Sequence, residues 1–474
     1  MTFTKMLIYF VALTSSLILA QISRDGNSFV DESFTKGDFN SVLAGRSEYS
    51  PFRSANYSES LEIINSVNNA IPQHKVNVEN INVTKINNKP IETNSGWKQF
   101  AGKINELGVD FNFNYTGEVF RNINGGSVNE TVYLDNFDLT ADFNLAKSLN
   151  WQGANLFAYV LGNHGQIPNK YIGSVQGVSN IAAPNTWKLY QFWLQQNLFN
   201  DRISLLIGLY DVNSEFDNRE SSSLFINPSQ GIGVDFSQSG LNGPSIFPTT
   251  SLTLRMKFQP TENLYIQAAV LDGVPGELNN PTGTHLILNK SDGLLIVGEL
   301  GSISANDNDK IFLGGWAYTK QFNLIPNEEI ENHSPKKGTS YGLYVSAERK
   351  IISESYDIEQ GLSGFVRVGM ANENVNPIGY YVGLGFVYKG LIPGRDNDEF
   401  GFALANAITG NPHLRELSSF QDVAGYELNF ELTYRMEILN WFEIQPDFQF
   451  VLNPGAQKNS NNAAEFGIRF SLSI

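Results

Sequence analysis

The chain has 474 residues, 41% of them hydrophobic, and a mean hydropathy of -0.21. This excludes a protein that crosses membranes on several apolar helices, but not one that crosses on half-apolar strands. The formal net charge of -16 argues against a nucleic-acid partner, which needs a basic surface, and suits a soluble protein or a cation-leaning pore. There is no cysteine, so disulfides, thiol chemistry and acylation of an N-terminal cysteine are excluded.

Residues 1–20 read as a secretory signal peptide. Lys5 supplies the positive n-region, residues 6–19 the apolar run, and Ala20 a small residue at the cleavage site. The competing reading is a single membrane anchor, but the run is shorter than the roughly 20 residues a span requires. Residues 21–95 are rich in Asn, Ser and charge. They are expected to form a polar periplasmic extension; Leu61, Ile64 and Val67 mark at most one short amphipathic helix.

The texture changes at Trp97, and residues 96–474 are expected to form one barrel domain. Sixteen candidate strands lie near 109–119, 132–144, 152–163, 187–198, 202–212, 250–259, 263–272, 293–302, 309–320, 339–349, 361–370, 377–389, 398–406, 424–437, 441–452 and 463–473. Each is close to the 9–11 residues of a tilted spanning strand. The pattern is plainest at TWKLYQFWLQQNLFNDRISLLIGLYDVNSEF, residues 186–216. There Tyr190, Phe192 and Leu194 alternate with Gln191, Trp193, Gln195 and Asn197. After a tight turn at Asn200-Asp201, Ile203, Leu205, Ile207 and Leu209 alternate with Ser204, Gly208 and Tyr210. Strand side chains alternate between faces, so this is an antiparallel hairpin with one dry and one wet face.

Links near 200–201, 260–262, 305–309 and 439–440 are tight, and those over 164–187, 212–250, 273–292, 321–338 and 407–423 are long. Such alternation is the mark of outer-membrane barrels, short turns inside and long loops outside. Two links break it: 350–360 is long and 371–376 short. The last strand, AEFGIRFSLSI, places Phe466, Ile468, Phe470, Leu472 and Ile474 on one face. In a barrel it closes against the first strand and no edge is left open. The expected fold is therefore all-β, a transmembrane antiparallel β-barrel of about 16 strands. Such a barrel has outer-membrane lipid and the barrel-assembly machinery as partners, although many end in Phe where this chain ends in Ile474.

If the dry face meets lipid, the wet face lines a lumen. By strand parity that face carries Asp110, Asn112, Asn114 and Glu118; Asp138, Thr140 and Asp142; Gln191, Trp193, Gln195 and Asn197; Arg255, Lys257, Tyr265, Gln267 and Glu299; and later Glu348, Arg367, Lys389, Glu427, Glu431, Arg435, Asp447, Gln449 and Arg469. The mixture of both signs with amides and aromatic faces suits neutral polar solutes better than ions of one sign. The expected pore-lining set is Glu118, Asp138, Gln191, Trp193, Gln195, Arg255 and Arg367. Trp193 is either a stacking platform for a solute ring or packed against the wall. Arg255 and Arg367 either bind hydroxyls or pair with Glu118 or Asp138 across the lumen. Residues 212–250, with Phe225, Phe236 and Phe247, are expected to fold inward as a constriction, the Phe side chains anchoring them.

No cofactor is expected, and no metal. The five His (His74, His164, His285, His333, His413) are scattered, and the acidic turns at 306–309 and 396–399 lack the ligand spacing of a calcium loop. No catalytic residue can be named from spacing.

At this point the chain resembles a known family, the carbohydrate-selective porins of the OprB type. The likeness is carried by SGWKQFAGKINELGVDFNFNYTGEVFRNINGG (95–126), NWQGANLFAYVLGNHG (150–165), YIGSVQGVSNI (171–181), the hairpin through 216, LFINPSQG (224–231), GPSIFPTTSLTLRMKFQP (243–260), QAAVLDGVPG (267–276) and YYVGLGFVYKGLIPGRDNDEFGFALA (380–405). Trp97 is followed by Lys98-Gln99-Phe100, where the family opens on a Trp-Gly-Gly-x-Arg style run. The resemblance implies a sixteen-stranded outer-membrane porin passing glucose-like monosaccharides and related small sugars, monomeric or homo-oligomeric. The competing readings are an outer-membrane barrel enzyme using His164 or His413 at the rim, and an adhesin or receptor built on the loops.

Overall fold

The computed structural model describes residues 102–277, 280, 282–304, 309–326, 336–354, 359–458 and 460–474. The expected signal peptide and the extension to residue 95 lie outside them. The described chain is a closed barrel of sixteen strands, each hydrogen-bonded to its sequence neighbours, with the last returning to the first. The strands are β1 (Val109–Asn124), β2 (Thr131–Asn144), β3 (Ala154–Gly165), β4 (Thr186–Leu198), β5 (Ile203–Tyr210), β6 (Ser251–Thr261), β7 (Leu264–Asp272), β8 (Leu294–Ile303), β9 (Asp309–Asn323), β10 (Lys337–Ser353), β11 (Gly361–Ala371), β12 (Ile378–Lys389), β13 (Glu399–Thr409), β14 (Tyr426–Leu439), β15 (Phe442–Leu452) and β16 (Ala463–Ser473).

Closure is antiparallel, with Glu118 opposite Arg469 and Gly117 opposite Phe470. Ile474 completes the seam: its N–H donates to the Phe113 carbonyl at 3.0 Å, and its carbonyl accepts from the Phe113 N–H at 3.1 Å. No strand edge is left to template aggregation.

The exterior is apolar. Leu254, Ile266, Ile296, Leu313, Leu343, Val366, Leu432 and Ile468 all lie on it with about two-fifths or more of their surface exposed. In water such a belt would be a large aggregation-prone patch; in a bilayer it is the required surface. Opposite parity points inward, and there the side chains are polar and buried: Glu118, Gln191, Arg255, Gln267, Glu299, Arg367, Glu427, Glu431, Asp447 and Gln449.

The links alternate between rims, as expected. β10 runs to Ser353, so the apparently long link there is shorter than the sequence suggests. The connection over 372–377 is short in the structure too.

In the β4–β5 turn Phe199, Asn200 and Asp201 all have positive φ (56°, 54° and 63°). Asn and Asp tolerate this conformation best among residues with a side chain. Gly208 faces Trp193 across the hairpin. Its φ is 145°, and a Cβ there would lie 2.2 Å from the Phe192 carbonyl oxygen. Only glycine lets the two strands meet at that point.

One parity assignment needs correcting. Tyr190 belongs by alternation to the dry face, yet it is buried and its hydroxyl donates to Asp211. The β3–β4 register slips between the Tyr159↔Gln191 and Val160↔Leu189 pairs, which leaves Tyr190 as an extra, bulged residue. A bulge restarts the alternation, so Tyr190 and Gln191 both serve the interior.

Candidate functional site

Two of the long-rim loops turn into the barrel and decide what space is left. The third loop, residues 211–250, crosses the lumen and is fixed at both its polar and its aromatic residues. Phe236 stacks on Trp316 of β9 (5.2 Å between ring centres, 9° between planes), and Phe225 meets Phe365 of β11 edge-on at 5.8 Å. Both anchors are buried. The expectation that the phenylalanines hold the loop is met by these two; Phe247 instead sits edge-on to Tyr190 at 6.1 Å.

The loop's polar anchors are charged. Arg367 on β11 donates from Nε to Asp217 (2.8 and 3.0 Å) and from its Nη atoms to Asp235 (2.6 and 3.3 Å). Its guanidinium lies over the rings of Tyr344 and Tyr381 at 5.4 and 5.1 Å. Glycines 233 and 369 make room for this clamp, because a Cβ at either would come within 2.1 to 2.3 Å of Arg367 Nη1. Asp217 also accepts from Arg219 at 2.7 Å, and its backbone N–H donates to Glu299 at 2.9 Å. On β14, Glu431 accepts from the backbone N–H groups of Ile226 (2.5 Å) and Asn227 (3.1 Å).

The second loop, residues 166–185, is held the same way. Glu427 accepts from Ser174 Oγ (2.6 Å) and from the N–H groups of Val175 (2.9 Å) and Gln176 (3.0 Å). Gln449 donates to the Val178 carbonyl at 2.8 Å. Much of the wet face is therefore spent holding loops.

Between the β2–β4 wall and these two loops lies a cavity of about 690 Å³. Asn136, Asp138, Tyr159, Tyr190 and Gln191 come from the wall, Gln176 and Asn180 from the second loop, Asp211, Asn213 and Phe247 from the third, and Arg469 from β16. Tyr159 donates to Asp138 and Tyr190 to Asp211, while the two tyrosine rings meet edge-on at 5.0 Å. Gln191 Oε1 accepts from Trp193 Nε1 at 3.2 Å and from the Asp211 N–H at 3.4 Å. Burial pushes the Asp211 carboxyl up to about 6.

Of the seven pore-lining residues expected from sequence, Asp138 and Gln191 line this cavity directly. Trp193 is half-buried, stacked on Phe157 at 4.9 Å and bonded to Gln191. This is the wall-packed reading. Gln195 accepts from Arg255 Nη2 at 2.9 Å. The cross-lumen pairing expected of the two arginines is not what forms. Arg255 is 2% exposed and pairs with Glu215 of the third loop (Nε–Oε2 2.8 Å), and it donates to Ser204 Oγ at 2.8 Å. Arg367 is 1% exposed, enclosed by Asp217 and Asp235. Glu118 pairs with Arg469, across the closing seam (Nε–Oε1 2.6 Å). The reason is proximity: the inserted loop brings its own carboxylates to the arginines, nearer than those of the opposite wall.

Tyr159, Tyr190, Asp211 and the whole second loop are missed by the sequence reading. Alternation over 150–162 does not choose a face, the Tyr190 bulge leaves no compositional trace, and a loop's inward turn has no periodicity to read. The acidic turn at 396–399 forms an ordinary ion pair, Arg395–Asp398 at 2.8 Å; that at 306–309 lies mostly outside the described residues.

The family model for the carbohydrate-selective porins of the OprB family matches residues 129–473. Porin B of Pseudomonas aeruginosa is 24% identical over 419 residues, 79% of this chain and 91% of that protein. A putative porin, QuiX, of Acinetobacter baylyi is 20% identical over 411 residues, 80% and 92% of the two chains. The high-pH structure of Pseudomonas putida OprB superposes with a TM-score of 0.71 at 22% identity, covering 80% of this chain and 97% of its own. The matched region takes in fifteen of the sixteen strands, all but the first, and the barrel just described agrees with it: the chain belongs to the carbohydrate-selective porin, OprB family.

Proposed function

We propose that this outer-membrane barrel is a passive diffusion channel for small neutral sugars, glucose-like monosaccharides first, which bind transiently in the cavity between β2–β4 and the second and third loops. The observation that carries the reading is the mixture of groups on that cavity. Asp138 and Asp211 are acceptors, Gln191, Asn180 and Arg469 supply donors, and Tyr159, Tyr190 and Phe247 present ring faces and edges. A hydroxyl both donates and accepts, and a sugar's C–H face packs on aromatic carbon, so each kind of group has a partner on one ring. The volume falls in the usual range for small-molecule sites, about 300–1,000 Å³. Binding must be weak enough for release, which fits a wall of single hydrogen bonds.

The test is single-channel current through the purified protein in a planar bilayer with glucose titrated in. The current is expected to fall saturably with glucose. Asp138→Asn is expected to raise the half-blocking concentration several-fold, the weight of about 1 kcal/mol for one hydrogen bond. A steady current indifferent to sugars leaves a porin without this preference, and no current at all favours a loop-based receptor.

A further inference from the structure

We infer that the fourth loop, residues 273–293, carries a binding site for a divalent transition-metal cation of the zinc class, formed by Asp272, His285 and Asp292. Asp272 ends β7, Asp292 precedes β8, and His285 lies midway along the loop between them. One ligand atom from each of the three lies within 4.8 Å of the other two.

The second observation is that the central groups are buried without hydrogen-bond partners. His285 is 5% exposed and neither ring nitrogen makes a well-formed hydrogen bond; Asp272 is 2% exposed and its Oδ2 meets only the His285 ring. Nε2 of His285 faces that oxygen at 3.4 Å, and Nδ1 faces Glu277 Oε1 at 3.9 Å. An imidazole taken out of water whose nitrogens meet only carboxylates, at 3.4 and 3.9 Å, is poorly satisfied, and buried polar groups in native proteins almost always find close partners. A cation bound by Nε2 and the two carboxylates satisfies the imidazole and Asp272 together. It also leaves Nδ1–H directed at Glu277, the outer carboxylate that ligating histidines commonly have. One imidazole and two carboxylates match zinc-type ions, whose open fourth position takes water. Calcium prefers six to eight oxygens and has no use for the ring nitrogen.

The ion would tie both roots of the loop to its middle. On its far side the loop is bonded to β4: Thr186 Oγ1 donates to the Thr282 carbonyl at 2.7 Å, and Thr284 Oγ1 to the Leu189 carbonyl at 2.9 Å. Asp272 falls on the outward parity of β7, which it shares with Ile266 and Val270.

The experiment uses the full-length barrel in detergent, stripped with chelator, dialysed and titrated with Zn²⁺ by calorimetry, with bound metal counted by elemental analysis. One equivalent per chain is expected, with Ca²⁺ binding far more weakly. His285→Ala and Asp292→Asn are each expected to weaken Zn²⁺ binding at least about tenfold, while His164→Ala at another rim position leaves it unchanged. Circular dichroism checks that each variant is a folded barrel. Asp292 is only half-buried, so its amide variant keeps the test available if His285→Ala does not fold. Zinc should also slow proteolysis within the loop in the wild type and not in the variants. No stoichiometric binding, equal binding by His285→Ala, or a preference for Ca²⁺ would each overturn the site.

Discussion

Asp211 is the residue whose charge the cavity can least take for granted. It follows β5 directly, accepts the Tyr190 hydroxyl and the Asn213 N–H (2.8 Å), and has no cationic partner among the described residues. Burial raises its carboxyl to about 6, so the folded chain holds this proton at pH values where the unfolded chain has lost it. The group therefore favours the folded state fully below the ordinary carboxylate range near 4 and loses that contribution as pH rises through about 6. In a channel the same titration is read electrically. As pH falls from 7 to 5 the cavity loses a negative charge, and cation preference, measured as reversal potential in a KCl gradient, is expected to decline. Asp211→Asn should start lower and change less over that interval; a slope equal to wild type would place the titrating group elsewhere. None of this is visible in the sequence, where Asp211 is one acid in the run YDVNSEF. Asp138 and Gln191, by contrast, are placed on the cavity side by alternation alone, because β2 keeps period two around Asp138 and β4 keeps it from Gln191 onward, past the bulge. Tyr190 shows the limit of that rule: one bulged residue reverses the faces, and nothing in its composition announces it.

At the scale of elements, the third loop behaves as part of the wall. Its hold is concentrated on Arg367, which neutralises two buried aspartates, Asp217 and Asp235, brought in by the loop itself. Removing Arg367 leaves Asp235 buried with no cation and Asp217 with Arg219 alone, and breaking a buried pair costs about 3–5 kcal/mol. Arg367→Ala is accordingly expected to release the middle of the loop, giving larger and noisier single-channel conductance along with a lower unfolding temperature. Arg367→Lys should restore charge but not the fork that reaches both acids, and so recover only part of the loss. Deleting residues 230–242, which carry Asp235 and Phe236, is expected to raise conductance outright; unchanged conductance would mean that this segment is not the narrow point. The loop's inward fold was legible in part. Its length, its glycines and its embedded phenylalanines distinguish it from a solvent-washed link. The partners of Arg367 were not legible, because pairing across 150 residues of sequence depends on where a non-periodic segment lands. The sixteen strands were legible for the opposite reason: each repeats a two-residue pattern whose two halves face different solvents.

For the molecule as a whole, the net charge of -16 overstates the field inside the barrel. The arginines buried or nearly buried in the interior are each matched by a carboxylate: Arg255 by Glu215, Arg367 by Asp235 and by Asp217, which it shares with Arg219, and Arg469 by Glu118. Asp138 and Asp211 are the carboxylates on the open cavity that no described cation pairs. Ion selectivity and sugar binding should therefore respond differently to salt. Screening shortens from about 10 Å at 0.1 M to about 3 Å at 1 M, so the cation preference set by two acids should fall markedly over that range. On the function proposed above, a neutral sugar is held by contacts of hydrogen-bond length, which screening does not reach. Its half-blocking concentration should stay constant between the two salts while the reversal potential per unit gradient shrinks. Were sugar block to weaken in step with ion selectivity, the solute site would have to be sought in the wider charged vestibule instead of the cavity between β2–β4 and the inserted loops.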